Sequence, residues 1–116
     1  MKREQNYKTI FSDIDGTLIE QVRFEDLDSN VVNVLPDVAE KMNEWYEAGH
    51  HIVLTTARPE TLRNHTEFEL KNNNIKYHQL VMGIERGPRY LINDMDPEKE
   101  GDRAIGINLN RDKGFE

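Results

Sequence analysis

The amino-acid sequence predicts an α/β domain of the Rossmann-like kind, in which a mostly parallel sheet is flanked by helices. Short segments rich in β-branched and aromatic residues alternate with longer segments whose apolar residues recur at helical spacing. Polar and acidic residues follow directly after several of the strand-like segments, which is where sheets of this class bind their ligands.

The first 82 residues contain three strand patterns separated by two helix patterns. A helix is predicted over residues 36–49, because a proline suits its first turn and a glycine suits its carboxyl end. A second helix is predicted over residues 59–73, which begins on a proline and ends in asparagines that tolerate the left-handed conformation. The strands are predicted at residues 7–14, 51–56 and 77–82.

Two further strands are predicted at residues 89–93 and 104–109. Strands that alternate with helices are usually parallel and joined by right-handed crossovers. Residues 1–116 are expected to form a single domain, because a chain of this length buries one core and not two.

The composition excludes several classes of protein. The formal net charge is −7 and the basic residues are scattered, which disfavours a nucleic-acid partner. No apolar run approaches the ~18 residues of a membrane span, and the amino terminus lacks the apolar core of a signal peptide. Cysteine is absent, so disulfides and thiolate metal sites are excluded, and a cytoplasmic location is expected.

The first candidate motif follows the first predicted strand. Asp13 and Asp15 are separated by one residue, so an extended chain directs both carboxylates to the same side, and Gly16 permits a sharp turn. One carboxylate could attack phosphorus while the other donates a proton to the leaving oxygen, with magnesium offsetting the repulsion between anions. A plain strand followed by an Asp-Gly turn fits these residues equally well.

Two more candidate elements carry hydroxyl groups and cations. Thr56 follows the second predicted strand, where its hydroxyl could donate to a phosphate oxygen, or could simply cap the helix that follows. Arg86 and Arg89 precede the strand at residues 89–93. They could neutralise a nucleophile and a phosphate, or they could be solvated surface residues.

A last acidic element follows the strand at residues 89–93. Asp94 is well placed to complete a metal site rich in oxygen ligands, with Asn93 and Asp96 beside it. The alternative is a turn, because an Asp-Pro pair at Asp96 is a turn signal.

Together these elements resemble the haloacid dehalogenase (HAD) superfamily. Its first motif, Asp-x-Asp-Gly-Thr, is matched without departure, and its second motif, a Thr or Ser that ends the next strand, is matched by Thr56, with Thr55 the weaker candidate. The fourth motif is matched by Asp94, although Asn93 stands where many members carry a second acid. The third motif is normally a lysine, and here Arg86 and Arg89 are the candidates.

The resemblance implies a magnesium-dependent phosphatase. Asp13 would form an aspartyl-phosphate, Asp15 would act as acid and base, and Thr56 with Arg89 would hold the phosphoryl oxygens. The metal ligands implied are Asp13 and Asp94 through their carboxylates and Asp15 through its backbone carbonyl. The substrate contacts implied are Gly16, Thr17, Ala57, Arg58 and Arg86.

The chain is short for this superfamily, so residues 18–35 are expected to form a small flap instead of a cap domain. In this it resembles the nearly capless phosphatases of bacterial sugar and capsule biosynthesis, which implies a small phosphorylated metabolite as substrate. We expect a homo-oligomer in which a neighbour lends cover, with Arg23 and Phe24 recognising substrate and Trp45 and Tyr46 offering apolar surface. The alternative function is a phospho-accepting or metal-binding regulatory module without efficient turnover.

Overall fold

The computed structural model describes residues 7–22 and 33–115 of the chain. An α/β domain is confirmed in these residues, and the strand and helix predictions up to residue 82 hold to within a few residues. The elements in chain order are β1 (Thr9–Asp13), α1 (Val38–Glu47), β2 (His51–Thr55), a 3-10 turn (Glu60–Leu62), α2 (Arg63–Asn72) and β3 (Gln79–Val81).

The three strands form one parallel sheet in the order β1-β2-β3. Asp13 lies opposite Thr55, and Thr55 lies opposite Val81, so the carboxyl ends of all three strands meet at one edge. The predicted parallel arrangement is confirmed, and it gathers the motifs that follow β1 and β2 at that edge.

Apolar side chains from the strands and both helices form one core. Gly49 has a φ of 99° and ends α1, and Asn74 has a φ of 56° just after α2, as the sequence predicted for both helix ends. The buried apolar residues of the core are Ile14, Leu18, Ile19, Leu35, Val38, Met42, Ile52, Leu54, Leu70 and Ile75. Among the described residues, no helix is both long enough and apolar enough to cross a membrane.

The aromatic residues of α1 pack within the chain. Trp45 meets Phe115 edge to face, with ring centres 5.9 Å apart, and Tyr46 stacks on His78 at 4.7 Å. Both rings are half-buried against the core. The apolar surface that we expected Trp45 and Tyr46 to offer a partner is therefore largely covered by this chain.

The predicted flap begins and ends in a short antiparallel pairing. Glu20 N–H donates to the carbonyl of Asn33 at 3.0 Å, and Leu35 N–H donates to the carbonyl of Leu18 at 2.9 Å. Arg23 and Phe24, the predicted recognition residues, lie outside the described residues.

The strands predicted at residues 89–93 and 104–109 are not formed, and that prediction is wrong for the single chain. Residues 85–110, which we call the arm, contain no helix or strand. A strand exists only where a second strand accepts its backbone hydrogen bonds, and the arm has no such neighbour in the described residues. Its large apolar side chains are exposed: Tyr90, Leu91, Ile92, Met95, Ile105 and Ile107.

Beyond the arm the chain returns to the core. Asp112 N–H donates to the carbonyl of Gly16 at 2.8 Å, and the Asp112 carboxylate accepts the N–H of Gln21 at 2.9 Å. Gly114 has a φ of 65° and lies against the backbone of Pro36. The carboxyl-terminal segment is thus fastened to the turn that carries the first motif.

Replacing Gly114 by alanine is expected to lower the free energy of unfolding by about 1–3 kcal/mol. The added Cβ would overlap the carbonyl oxygen of Pro36, and the left-handed backbone is unfavourable for alanine. Gly106→Ala is the matched control, because a Cβ there meets open space and the backbone is not left-handed. Urea denaturation measures the stability of both variants, and equal stabilities would contradict the close contact between Gly114 and Pro36.

Candidate active site

The first motif forms a tight turn at the carboxyl end of β1. Gly16 has a φ of 82°, which few other residues adopt without strain. Its N–H donates to the carbonyl of Ile19 at 2.7 Å, and the N–H of Thr17 donates to the carbonyl of Ile14 at 3.2 Å. Both N–H groups are therefore used inside the turn, and the predicted substrate contacts of Gly16 and Thr17 stay predictions.

Asp13 is the more accessible of the two acids, with a side chain that is 36% exposed. The Thr17 hydroxyl donates to one carboxylate oxygen at 3.4 Å, and an Arg89 guanidinium nitrogen lies 3.5 Å from the other. Burial raises the pKa of Asp13 above its usual value, although the N–H of Ile14 and the charge of Arg89 partly offset this. The carboxylate is thus poorly hydrated and has a cation beside it.

Asp15 lies in a different environment, with a side chain that is only 10% exposed. Arg58 Nη2 donates to Asp15 Oδ1 at 2.7 Å, and Arg58 Nε donates to Oδ2 at 3.0 Å. A bidentate pairing of this kind fixes both the position and the orientation of a carboxylate.

Arg58 is itself fully buried and is held by two residues of α2. Its Nη1 donates to the Thr66 hydroxyl at 3.0 Å, and its Nη2 lies 2.9 Å from a Glu69 carboxylate oxygen. Burial alone would lower the pKa of Arg58, but Asp15 and Glu69 outweigh it and raise the pKa. This arrangement supports a positioning role for Arg58 on Asp15, and its direct contact with substrate stays a prediction.

Sequence reasoning missed both Thr66 and Glu69. They are three residues apart and therefore on one face of α2, and both are buried. An acid on the face that a helix buries requires a partner of opposite charge, and that is the signal that could have identified Glu69.

Thr56 follows β2 and is almost fully buried. Its hydroxyl oxygen accepts the N–H of Arg58 at 3.0 Å, and the predicted donation of its proton to a phosphate oxygen stays a prediction. Ala57 is half-buried at the same strand end. Thr55, in register with Asp13, directs its hydroxyl to the carbonyl of Ser12 at 3.4 Å.

Of the two candidate cations, Arg89 reaches Asp13, whereas Arg86 is exposed. The acidic element on the arm is not brought to the other motifs. The Asp94 side chain is 73% exposed and accepts a hydrogen bond from Arg103 at 2.8 Å, and Asn93 accepts the N–H of Asp94. Asp96 accepts the N–H of Glu98 at 3.0 Å, the turn that its Asp-Pro pair indicated.

Magnesium, which the HAD resemblance implies, fits this arrangement only in part. Asp13 and Asp15 offer the oxygen ligands that Mg²⁺ prefers. Across residues 7–22 and 33–115, however, no three His, Asp or Glu side chains lie together as a metal-binding group. Asp94, which the predicted site requires, lies on the arm with an exposed side chain that is paired with Arg103, so the described contacts of one chain do not place it beside Asp13.

No protein-family model and no curated protein matches this chain. Two of the solved structures that are similar to it are as follows. One is the Pnkp1/Rnl/Hen1 complex, with a TM-score of 0.60 and 21% identity over 78% of this chain and 33% of that chain. The other is the Pnkp1/Rnl/Hen1 RNA repair complex, with a TM-score of 0.58 and 22% identity over 71% of this chain and 28% of that chain. This chain spans about a third of their length, and similarity at this level of identity shows a common fold.

Proposed function

We propose that this chain is a HAD-type phosphomonoester hydrolase that acts through an aspartyl-phosphate on a small metabolite such as a sugar phosphate. The observation that carries the proposal is the contrast between two acids at one strand end. Asp13 is partly exposed opposite Arg89, whereas Asp15 is buried and held by Arg58. Two carboxyl groups in unlike environments are suited to different roles in one reaction.

In the first step, a carboxylate oxygen of Asp13 attacks phosphorus and the bond from phosphorus to the leaving oxygen breaks. The Asp15 carboxyl group donates its proton to that oxygen, which leaves as an alcohol. In the second step, the Asp15 carboxylate takes a proton from water as the water oxygen attacks phosphorus. The bond to Asp13 breaks, inorganic phosphate is released, and Asp13 and the protonated Asp15 are restored.

The surroundings of the two acids support these roles. Partial burial removes water from the Asp13 carboxylate, and Arg89 brings a positive charge to the place where phosphoryl oxygens would collect. Arg58 fixes the orientation of Asp15 and pairs with it as a carboxylate, the form in which Asp15 takes a proton from water in the second step. Thr56 lies at the end of the neighbouring strand, where the proposal has it donate to a phosphoryl oxygen. The proposal includes Mg²⁺ as cofactor, for which one chain contributes Asp13 and Asp15 but does not bring Asp94.

A panel of phosphorylated compounds, assayed for released phosphate with Mg²⁺ or with EDTA, tests this function. The panel contains sugar phosphates, nucleotides and phosphoamino acids. It also contains an RNA oligonucleotide with a terminal phosphate, because both similar structures are of a Pnkp1/Rnl/Hen1 complex that one title describes as an RNA repair complex. We expect Mg²⁺-dependent turnover of a small sugar phosphate, and little turnover of RNA by a chain with a net charge of −7.

Failure of the folded protein to hydrolyse any compound of the panel would contradict the proposal. A phospho-aspartate that forms and persists for minutes, without turnover, would favour the regulatory module instead. If the protein hydrolysed the RNA end in preference to the other compounds, the proposed chemistry would stand and the proposed substrate class would be wrong.

A further inference from the structure

The arm exposes apolar residues that a folded chain would normally bury. Tyr90 is 90% exposed, Ile92 is 89% exposed and Ile107 is 69% exposed. These side chains belong to the two segments whose sequence favours β-structure, at residues 89–93 and 104–109. A segment of this composition whose apolar side chains the described residues leave exposed indicates a surface that binds another chain.

The core carries a matching surface at the outer edge of β1. The sheet order places β1 at one end, and no strand among the described residues pairs with that edge. Phe11 on β1 is 55% exposed, although its neighbour Val53 on β2 is buried. An uncovered edge of this kind offers backbone hydrogen bonds to an incoming strand.

The arm of the same chain cannot add a parallel strand to this edge. The chain is fixed at the carboxyl end of the sheet, where Gly83 and Ile84 bond to the carbonyls of Arg58 and Thr56. A parallel strand beside β1 would have to begin at the opposite end of the sheet. Such a crossover takes a dozen or more residues, and only residues 82–88 connect β3 to the predicted strand.

The surface area of the chain points to an extensive contact with a second copy. The accessible surface is 8473 Å², which exceeds by about 1,900 Å² the value expected for a compact monomer of this mass. A standard interface buries about 800 Å² on each partner, and interfaces of obligate homodimers are larger. The exposed arm contributes to this excess, which is of the order that such an interface buries on each partner.

We infer that two copies of this chain exchange arms, so that residues 89–93 of each copy pair in parallel with β1 of the other. Pairing that sets Asp94 of the second copy beside Asp13 also sets its Ile92 beside Phe11, which covers two exposed apolar side chains at once. The exchange is reciprocal, as a twofold dimer requires. Each site then consists of one chain's core and the other chain's Asp94.

This assembly accounts for the incomplete metal site of the single chain. Asp94 of the second copy brings a second carboxylate beside that of Asp13, while the Asp15 carboxylate stays paired with Arg58. Arg89 remains at Asp13 of its own chain, and the arm extends from there to the other site. The two sites are therefore separated by about one five-residue strand, roughly 17 Å.

Crosslinking tests the exchange without reference to activity, and the absence of native cysteine makes it specific. The double variant Phe11→Cys/Ile92→Cys is treated with a short bis-maleimide and analysed on a denaturing gel, with each single variant as control. Light scattering at micromolar concentration gives the mass of the untreated protein. We expect a dimer in solution and a covalent dimer from the double variant. A monomer in solution, or crosslinking only within one chain, would overturn the inference.

Complementation between two inactive variants tests the shared site, and this readout rests on the proposed function. Asp13→Asn and Asp94→Asn are unfolded together, refolded as an equal mixture, and compared with each variant refolded alone. Half of the dimers are then mixed, and each mixed dimer has one intact site, so we expect about a quarter of the wild-type activity. If both acids acted within one chain, the mixture would be as inactive as its components.

The two tests separate the two proposals. A dimer that crosslinks between chains but hydrolyses nothing supports the exchange and removes the phosphatase function. An active protein whose variant mixture recovers no activity keeps the phosphatase function and overturns the exchange. An Asp94→Asn variant with wild-type activity likewise overturns the shared site.

Discussion

Replacing Arg58 by methionine is expected to lower the free energy of unfolding by about 3–5 kcal/mol. Among the described residues, Arg58 is the only oppositely charged partner of the buried Asp15 carboxylate, and the substitution removes it. Glu69 is left with His65, which lies farther away than Arg58 does. Two buried carboxylates would then face each other without the guanidinium between them. Urea denaturation at pH 7 measures the loss, provided that the dependence on urea concentration keeps its slope.

Arg63→Met is the matched control, because it also removes an arginine with two acidic partners. Glu60 and Glu67 are both exposed, so the loss, which includes the hydrogen bond from Arg63 to the Leu80 carbonyl, is expected to be much smaller. Arg58→Lys keeps the charge without the bidentate fork, and we expect an intermediate loss. A loss for Arg58→Met no larger than that for Arg63→Met would contradict the buried network.

Replacing Asp13 by asparagine is expected to reduce the proposed phosphatase activity to about 1% or less while raising the melting temperature. Activity falls because the amide cannot form the acyl-phosphate. Stability rises because burial raises the pKa of Asp13, which means that folding disfavours the ionised side chain. Activity assays and thermal melts in EDTA at pH 7 measure the two effects.

The stability gain has a defined dependence on pH. Because the pKa of Asp13 is raised by folding, the full cost of the buried charge is present above the raised pKa of the folded state. That cost shrinks as the pH falls through the raised pKa of the folded state, and it is absent below the unfolded value of about 3.9. Asp102→Asn, at an exposed position of the arm, should change neither quantity. A lower melting temperature for Asp13→Asn at pH 7 would contradict the unfavourable burial.

The sheet and both helices could be predicted because their signals are local. The prolines and glycine around α1 and the asparagines after α2 act within a few residues, and Gly49 and Asn74 have the backbone conformations that those signals require. The same is true of the turn at Gly16. Alternation of strands and helices was then enough to predict that the strands are parallel.

The arm could not be predicted in the same way, because a strand depends on a neighbour that the local sequence does not specify. Residues 89–93 have the composition of a strand, yet they form no β-pairing with any other described residues of the single chain. The buried network was missed for a related reason. Asp15, Arg58 and Glu69 are far apart in sequence, and only the packing of α2 on the sheet brings their charges together.

The hydrogen bond from Asp112 to Gly16 determines when the turn after β1 is completed during synthesis. Gly16 leaves the ribosome early, but the N–H that binds its carbonyl belongs to Asp112, which is translated almost a hundred residues later. Because the ribosome adds about 5–20 residues per second, the turn behind Asp13 waits several seconds or more for its last hydrogen bond. A nascent chain that already contains β1, β2 and β3 still lacks this hydrogen bond. The turn that carries Asp13 is therefore completed only after Asp112 has been synthesised.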